Sequence, residues 1–387
     1  MIKHKIKTIH EKNKIINNII NAMADRKSFL ILGHINPDED CVSSMIAFAI
    51  LLTKFDKIAQ IYINSHIPGN IVYLLDICKF NSIDIINNTD RINSKIDTIV
   101  ICDTPKRKMV DMNKKIAKLV DRKDILKIEI DHHIASDGEY IGDEGYSLVT
   151  DASSTCELIG IIALKLRNKR RILRRFLISD PFSRNLVLSI LTGIVGDTNM
   201  GQYLKSRREK IYYDIFANMY NDILMKVTIK ETNFTKIDEI FQELQKLSVQ
   251  EEECYDYIIE KQNYIDSVGY IILNQRDMDY LCKEFDEDII VSVSKHIANE
   301  LAERSGKVSL LVYYDNSRKS DMIQFRMRRC HDYKKFDLRR VLDIFTIHDG
   351  GGHEGAIGFR FPRKDIKNLE EYTNEIIDGV VNTIAKL

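Results

Sequence analysis

The sequence of 387 residues has no tryptophan, only five prolines and no pair of cysteines in C-x-x-C spacing. Its seven cysteines are scattered singly, and an odd, unpaired set argues against a disulfide framework or a cysteine-based zinc site. No stretch approaches the roughly 18 uncharged apolar residues of a membrane span, and residues 1–20 lack the compact apolar core of a signal peptide. We therefore expect a cytoplasmic protein with reduced thiols and no membrane partner.

The chain also has no excess of positive or negative charge. Lys plus Arg and Asp plus Glu number 57 each, so the formal net charge is zero. This balance argues against a broad basic field that coats long duplex nucleic acid. It is compatible with a small anionic substrate held by a few local charges. The length and the 44% hydrophobic content suffice for two domains with packed cores.

Short apolar runs alternate with helical patterns in the first half of the chain. This alternation is typical of βαβ units and predicts a mainly parallel sheet flanked by helices. A strongly charged helical stretch follows, and beyond it strand-like and helical runs predict a smaller C-terminal mixed α/β domain. Within that domain we interpret Gly350-Gly351-Gly352 as a turn. We predict an α/β protein with a catalytic domain at 1–240, a helical linker at 241–262 and a substrate-binding domain at 263–387. The predicted strands of the first domain are Phe29–Gly33, Ile61–Ile63, Thr98–Cys102 and Leu126–Ile130.

Asp and His residues follow four apolar runs of the first domain, three of them predicted strands and the fourth a helical run. In an open parallel sheet, ligands gather at the carboxyl ends of the strands, so we expect these side chains to converge on one crevice. Each alone could be an ordinary cap or turn residue, but their joint occurrence points to a site. The residues are His34, Asp38 and Asp40, then Asp103, then Asp131, His132 and His133, and finally Asp197.

The residue types of this set predict a metal site. Carboxylate oxygens with imidazole nitrogens suit Mn²⁺ and similar divalent ions, whereas structural zinc sites lean on thiolates. Packing several carboxylates without a cation drives protonation, because like charges repel at short range. Two divalent cations, about 3.5–4 Å apart, would resolve this repulsion and would activate water for phosphoester hydrolysis.

The ordered set resembles the DHH phosphoesterases, which are named for the tripeptide found here as Asp131-His132-His133. The segment Asp349–Phe359 (DGGGHEGAIGF) is similar to the glycine-rich signature of the accompanying DHHA1 domain. The similarity spans residues from about 30 to about 360, nearly the whole chain.

The resemblance implies a role for each matching residue. Two metal ions, both expected to be Mn²⁺, would be bound. One would be held by His34, Asp38 and Asp103. The second would be held by Asp40, Asp103, His132 and Asp197. Asp131 would orient the tripeptide and His133 would face the scissile phosphate. In the second domain Arg328, Gly351, Gly352 and His353 would contact substrate, although Arg328 could also be a solvated strand charge and His353 a turn residue.

Several positions depart from the family pattern. Glu39, Ser43 and Asn199 stand where glycines are usual. The segment Ser153-Ser154-Thr155 resembles another family segment near the site, and a plain N-cap for the following helix explains it equally well.

The resemblance implies a metal-dependent phosphodiesterase that releases mononucleotides from short oligoribonucleotides or from linear or cyclic dinucleotides. Two alternatives stay open: a 3′-phosphoadenosine 5′-phosphate phosphatase, and a nucleotide-sensing module with little catalysis. A long-strand exonuclease of the RecJ type is less favoured because no third nucleic-acid-binding domain is visible. An inorganic pyrophosphatase is less favoured because the GGGH segment resembles DHHA1. The expected partner is a small nucleotide or short oligonucleotide, and a homodimer stays open.

Overall fold

The computed structural model describes residues 6–65, 67, 69–134, 139–226, 234, 236–315, 320–347 and 349–386, with the backbone alone at 224–226. The chain divides into two compact units, Met1–Lys246 and Leu247–Leu387. No helix within the described ranges has the length and apolar character needed to cross a membrane.

The first unit contains a six-stranded sheet in which every pairing is parallel, in the order β3-β2-β1-β4-β5-β6. Chain order runs outward from β1 in one direction and from β4 in the other, as in doubly wound folds. A crevice therefore opens between the carboxyl ends of β1 and β4. The strands are β1 (Ser28–Leu32), β2 (Ile58–Tyr62), β3 (Asp84–Ile86), β4 (Thr98–Cys102), β5 (Leu126–Asp131) and β6 (Ser147–Val149).

Helices cover both faces of this sheet, which explains why its central strands are apolar at successive positions. In β1, Phe29 and Ile31 pack into one core, while Leu30 and Leu32 pack into a second core on the opposite face. The helices of the unit are α1 (Ile9–Asp25), α2 (Glu39–Lys54), α3 (Tyr73–Phe80), α4 (Lys114–Val120), α5 (Thr155–Arg167), α6 (Arg170–Arg175), α7 (Arg184–Thr198), α8 (Arg207–Lys226) and α9 (Ile237–Gln245).

The second unit contains a mixed sheet in the order β11-β12-β10-β9-β8-β7. β8 and β9 are parallel and the other pairings are antiparallel. Its strands are β7 (Asn263–Ile265), β8 (Val268–Leu273), β9 (Val308–Tyr314), β10 (Met322–Arg329), β11 (Gly350–His353) and β12 (Ala356–Pro362). Its helices are α10 (Val249–Ile259), α11 (Gln275–Glu284), α12 (Glu287–Ser305), α13 (Arg339–Ile344) and α14 (Leu369–Ile384).

The predicted fold class is confirmed: a parallel sheet flanked by helices forms the first part and a mixed sheet the second. The short strands β3 and β6 were not predicted. Each has three residues, too few for an apolar run or an alternating pattern to stand out.

Two details of the second part differ from the sequence interpretation. The three glycines 350–352, interpreted as a turn, lie in strand β11, and the turn is formed by Glu354 and Gly355. Strand pairing explains this, because the absence of side chains lets the backbone of β11 approach β12: a Cβ on Gly350 would lie 2.7 Å from Phe359 Cβ. The unit boundary falls inside the segment 241–262, and Cys254 and Ile258 of α10 pack in a core of the second unit.

Candidate metal centre

The candidate metal centre lies at the carboxyl ends of β1 and β4, where the winding of the first sheet reverses. His34 follows β1 after Gly33 and forms an isolated bridge with Val110, while Asp103 directly follows β4. His132 follows β5, and Asp40 lies in the first turn of α2. The parallel order of the strands thus brings together residues that are about 100 positions apart in sequence.

The six residues predicted as metal ligands form one continuous cluster. Nε2 of His34 lies 3.5 Å from Oδ1 of Asp38 and 3.7 Å from Oδ2 of Asp103. Nε2 of His132 lies 3.5 Å from Oδ1 of Asp103, 3.9 Å from Oδ2 of Asp40 and 3.2 Å from Oδ2 of Asp197. Asp103 therefore stands between the two imidazoles, at the position that the resemblance assigns to a bridging carboxylate.

Both imidazoles present Nε2 to these carboxylates for the same structural reason. Nδ1 of His34 donates to the carbonyl of Ile35 at 2.9 Å, and Nδ1 of His132 donates to the carbonyl of Ala152 at 3.3 Å. A carbonyl can only accept, so the proton of a neutral ring is placed on Nδ1 and the Nε2 lone pair faces carboxylate oxygens. Such a contact needs a proton or a cation between the two acceptors. The donor set therefore fits divalent metal ions.

The N-terminus of α5 holds two of the carboxylates. The backbone N–H groups of Thr155 and Cys156 donate to Oδ2 and Oδ1 of Asp40 at 2.6 and 2.9 Å. The Thr155 hydroxyl donates to Oδ1 of Asp103 at 2.8 Å. N-terminal N–H groups and the helix dipole favour negative charge, so α5 stabilises these anions and fixes their direction.

The segment Ser153-Ser154-Thr155 therefore has both of the roles that the sequence left open, because it caps a helix and lies at the site. Ser154 is the N-cap of α5, and its hydroxyl accepts from the N–H of Glu157. Thr155 additionally orients Asp40 and Asp103, a contact that no local pattern could reveal. The sequence analysis also did not single out Cys41, whose sulfur lies within 4.8 Å of the ligand atoms of His34 and Asp103.

Asp103 adopts a backbone conformation that is uncommon for a non-glycine residue, with φ of 54°. Its N–H donates to the carbonyl of Ile130 at 2.9 Å, and its side chain is only 2% exposed. Residues held in the left-handed region concentrate at functional sites, where surrounding contacts fix them. This backbone conformation directs the carboxylate of Asp103 into the crevice.

Two glycines let α7 pack closely on α2 and α5, which buries Asp40. A Cβ on Gly193 would lie 2.5 Å from Oδ1 of Asp40 and 2.4 Å from Sγ of Cys156. A Cβ on Gly196 would lie 2.8 Å from Cβ of Glu39. The glycines of the 193–198 segment therefore create the space in which Asp40 and Asp197 approach each other.

The protonation equilibria of the cluster show a shortage of positive charge. Burial, followed by repulsion from Asp103, raises the pKa of Asp40 well above its usual value. Desolvation and repulsion from Asp40 and Asp38 do the same to the pKa of Asp197. Burial opposes protonation of His34, but the groups of Cys41, Asp38 and Asp103 outweigh it and raise that pKa. Divalent cations in the cluster would lower the pKa values of Asp40 and Asp197 again, and they would replace the proton on His34.

The remaining members of the tripeptide form a pair. Nδ1 of His133 donates to Oδ1 of Asp131 at 2.8 Å, and the His133 N–H donates to the same oxygen at 3.1 Å. Burial would lower the pKa of His133, but the hydrogen bond to Asp131 and the nearby charge of Asp103 raise it to about 9. His133 is 43% exposed, and its Nδ1 lies 3.5 Å from Oδ1 of Asp103, so its imidazole borders the crevice.

An ion pair between buried Glu157 and partly exposed Arg208 supports the loop that orients His132. Glu157, which is fully buried, accepts from the N–H and hydroxyl of Ser153 at 2.9 and 2.8 Å. Arg208 of α8 donates to Glu157 at 3.0 Å and also to the carbonyl of Asp151. The loop between Asp151 and Ser153 includes the Ala152 carbonyl that orients His132. Sequence reasoning missed this pair because its partners are 51 residues apart.

Two of the positions where the family usually has glycine have a local explanation. Asn199 caps α7 in the left-handed conformation with φ of 47°, which asparagine tolerates better than most residues. Glu39 accepts from Asn70 at 3.4 Å, and its charge contributes to the raised pKa of Asp197. Ser43 is fully buried within α2.

The predicted substrate residues lie together in the second unit. Arg328 on β10 pairs in register with Ala356 on β12, and Ala356 pairs with His353 on β11. Nε of Arg328 donates to Oδ1 of Asn299 at 2.9 Å, so the side chain rests on α12 and is half-buried. Gly351, Gly352 and His353 are exposed on the edge strand.

The chain is similar to known proteins in both sequence and fold. Residues 28–194 match the model of the DHH family, N-terminal domain. This range includes every proposed metal ligand except Asp197. Among curated proteins, no sequence matches significantly.

Three solved structures are among the matches. The crystal structure of an exopolyphosphatase-related protein from Bacteroides fragilis matches with a TM-score of 0.65 at 18% identity, covering 96% of each chain. RecJ from Thermus thermophilus, in complex with Mn²⁺, matches with a TM-score of 0.48 at 10% identity, over 99% of this chain and 56% of its own. A pGpG-specific phosphodiesterase from Vibrio cholerae matches with a TM-score of 0.35 at 11% identity, over 91% of this chain and 99% of its own. The first of these matches, at 18% identity, shows a similarity of fold alone.

Proposed function

Because residues 28–194 match the DHH family, N-terminal domain, we propose that the chain is a metal-dependent phosphodiesterase of this kind that acts on very short substrates. The substrates are short oligoribonucleotides or linear or cyclic dinucleotides, and the products are mononucleotides. The observation that carries the proposal is the convergence of His34, Asp38, Asp40, Asp103, His132 and Asp197 at the β1/β4 crevice.

Two divalent cations, with Mn²⁺ the first choice, would be held by these residues. One would be bound by His34, Asp38 and Asp103, and the other by Asp40, Asp103, His132 and Asp197. When bound, such cations supply an activated water and positive charge for the developing phosphoryl oxygens.

The protein's own groups prepare this centre and orient the substrate. Thr155 and the N–H groups of α5 hold Asp40 and Asp103 in place, so the ligands need little rearrangement. Asp131 accepts from Nδ1 of His133, which fixes the ring and favours its protonated form. The imidazolium of His133 donates a hydrogen bond to the scissile phosphate or a proton to its leaving oxygen.

The second unit supplies the substrate contacts in this proposal. Arg328 presents a planar guanidinium that can bind a phosphate with two hydrogen bonds. Gly351 and Gly352 allow a close approach of the backbone to an anion, and His353 lies beside them. A neutral protein with these few local charges suits a substrate of nanometre size better than a long duplex.

The test is a substrate panel assayed after metal removal with EDTA and again after addition of Mn²⁺, Mg²⁺ or Co²⁺. The panel contains a linear diribonucleotide, a cyclic dinucleotide, 3′-phosphoadenosine 5′-phosphate and a long single-stranded RNA. We expect mononucleotide release from the dinucleotides with Mn²⁺ and none with EDTA. Cleavage of only the bisphosphate would favour the phosphatase alternative, and binding without any turnover would favour a sensor.

A further inference from the structure

A basic surface lies on α6 and the residues beside it. Seven of the eleven residues from Lys165 to Arg175 are Lys or Arg, and none is acidic, although the whole chain has no net charge. Arg170, Arg171, Arg174 and Arg175 are exposed and occupy an arc of about 140° on α6. Leu173 is buried on the other side of this short helix. We call the four arginines together with Leu177 the α6 patch.

Three of these arginines have no partner within the described parts of the chain. Arg175 pairs with Asp25 at 3.4 Å, and the neighbouring Arg167 pairs with Asp180 at 3.3 Å. The guanidinium groups of Arg170, Arg171 and Arg174 form neither an ion pair nor a hydrogen bond in the described ranges. Their charges are available to an anionic partner.

The α6 patch lies far from the candidate metal centre. Helix α5 begins at the centre with Thr155 and ends at Arg167, just before α6. Its 13 residues span about 20 Å. The patch is therefore a surface separate from the chemistry.

Leu177 adopts an energetically unfavourable backbone conformation at the end of α6. The N–H of Ile178 donates to the carbonyl of Leu173 at 2.9 Å, and the N–H of Leu177 donates to the carbonyl of Arg174 at 3.3 Å. These two hydrogen bonds define a Schellman motif. This motif places Leu177 in the left-handed conformation, with φ of 53°, where glycine is preferred. The side chain is 92% exposed, so folding gains almost nothing from its apolar surface.

We propose that the α6 patch binds the surface of an anionic lipid bilayer. The arginines contact lipid phosphates, and Leu177 inserts among the acyl chains next to the headgroups. A lipid surface explains the exposed leucine and the unpaired arginines together, whereas RNA would use the arginines alone. Peripheral attachment of this kind needs no membrane-spanning helix. The proposal therefore replaces the expectation from the sequence that the protein has no membrane partner.

The test is co-sedimentation of the full-length protein with phosphatidylglycerol/phosphatidylcholine vesicles and with pure phosphatidylcholine vesicles. We expect binding to the anionic vesicles that weakens with added salt, and no binding to the neutral ones. Replacing Arg170, Arg171 and Arg174 by Gln should weaken binding about tenfold or more. The matched control replaces three exposed lysines elsewhere in the first unit, Lys114, Lys118 and Lys123, by Gln and should bind like the wild type.

Leu177→Gly separates the lipid contact from folding. Glycine relieves the left-handed backbone, so the melting temperature should stay the same or rise while vesicle binding falls. The proposal is overturned if the wild type does not bind anionic vesicles, or if Leu177→Gly binds them as well as the wild type. Arginine-dependent binding of single-stranded RNA without vesicle binding would also overturn it. Dinucleotide hydrolysis in solution should be unchanged in all these variants, which keeps this test independent of the proposed function.

Discussion

The candidate metal centre of the first unit and the candidate substrate segment of the second, Arg328 with residues 351–353, differ in how firmly their side chains are held. Asp40 and Asp103 are almost fully buried and are fixed by several hydrogen bonds from α5. The glycines and His353 of the substrate segment are exposed on an edge strand.

This difference corresponds to two different tasks. Metal ligands must keep their geometry through every turnover, so a rigid, densely packed surrounding benefits them. Residues that contact a variable part of a nucleotide need to be reachable by it. We therefore expect substitutions in the first region to affect chemistry, metal binding and stability, and substitutions in the second to affect substrate binding.

The largest effect should come from Asp103→Ala. This change removes the carboxylate proposed to contact both metals, and we expect dinucleotide turnover to fall roughly 10³-fold or more. Metal content, measured by mass spectrometry after dialysis, should fall as well. Asp121→Ala, which removes an exposed carboxylate of the same unit, is the control. Near-normal Mn²⁺-dependent activity of Asp103→Ala would contradict the two-metal mechanism.

A pair of glycine substitutions compares the packing of the two regions. In Gly193→Ala the new methyl group would overlap Asp40 and Cys156, so we expect a loss of about 1–3 kcal/mol in the free energy of unfolding. A Cβ on Gly351 meets no atom within 4 Å, and Gly351→Ala should change stability by less than about 0.5 kcal/mol. Urea denaturation followed by circular dichroism measures both. Equal losses would show that the two regions are packed alike.

Thr155→Val tests the support that α5 gives to the metal ligands. Valine keeps the shape of threonine but cannot donate to Asp103, and the loss of such a supporting hydrogen bond typically costs about 10–100-fold in metal affinity or activity. Thr155→Ser keeps the hydroxyl and should retain most of both. Metal titration of the two variants by calorimetry makes the comparison. The role of Thr155 would be refuted if the valine and serine variants bound metal equally well.

The smallest effect on catalysis should come from Arg328→Ala. We expect KM for a dinucleotide to rise about tenfold with little change in kcat, because a contact formed equally in ground and transition states affects binding. Hydrolysis of a minimal chromogenic phosphodiester and metal content should not change. Arg326→Ala removes an arginine of the same strand that donates to Tyr313, and serves as the control. Equal loss on both substrates would place Arg328 in the catalytic centre or in the fold.

The sequence predicted the central part of the fold and the members of the candidate centre. β1, β4 and β5 are visible as apolar runs because both faces of their sheet are covered. The Asp and His residues that follow them were visible because residue type and position at a strand end are local properties. The three-residue strands β3 and β6 were not visible, since edge strands this short carry no periodic pattern.

The supporting contacts of the centre could not be predicted. The family resemblance placed Thr155 near the site, but its distance of 115 positions from Asp40 hides the contact between the two residues. The ion pair between Arg208 and Glu157 is hidden in the same way.

The sequence by itself thus determined which elements form and which side chains stand at their ends, because both follow from apolar patterning and residue chemistry over a few neighbouring positions. Only the tertiary structure decided which of these ends meet, how the left-handed backbone turns Asp103 into the crevice, and which helix N-terminus donates hydrogen bonds to the buried carboxylates. These features depend on through-space contacts between distant segments. Their energies arise from burial and charge in the folded chain, and no local pattern records them.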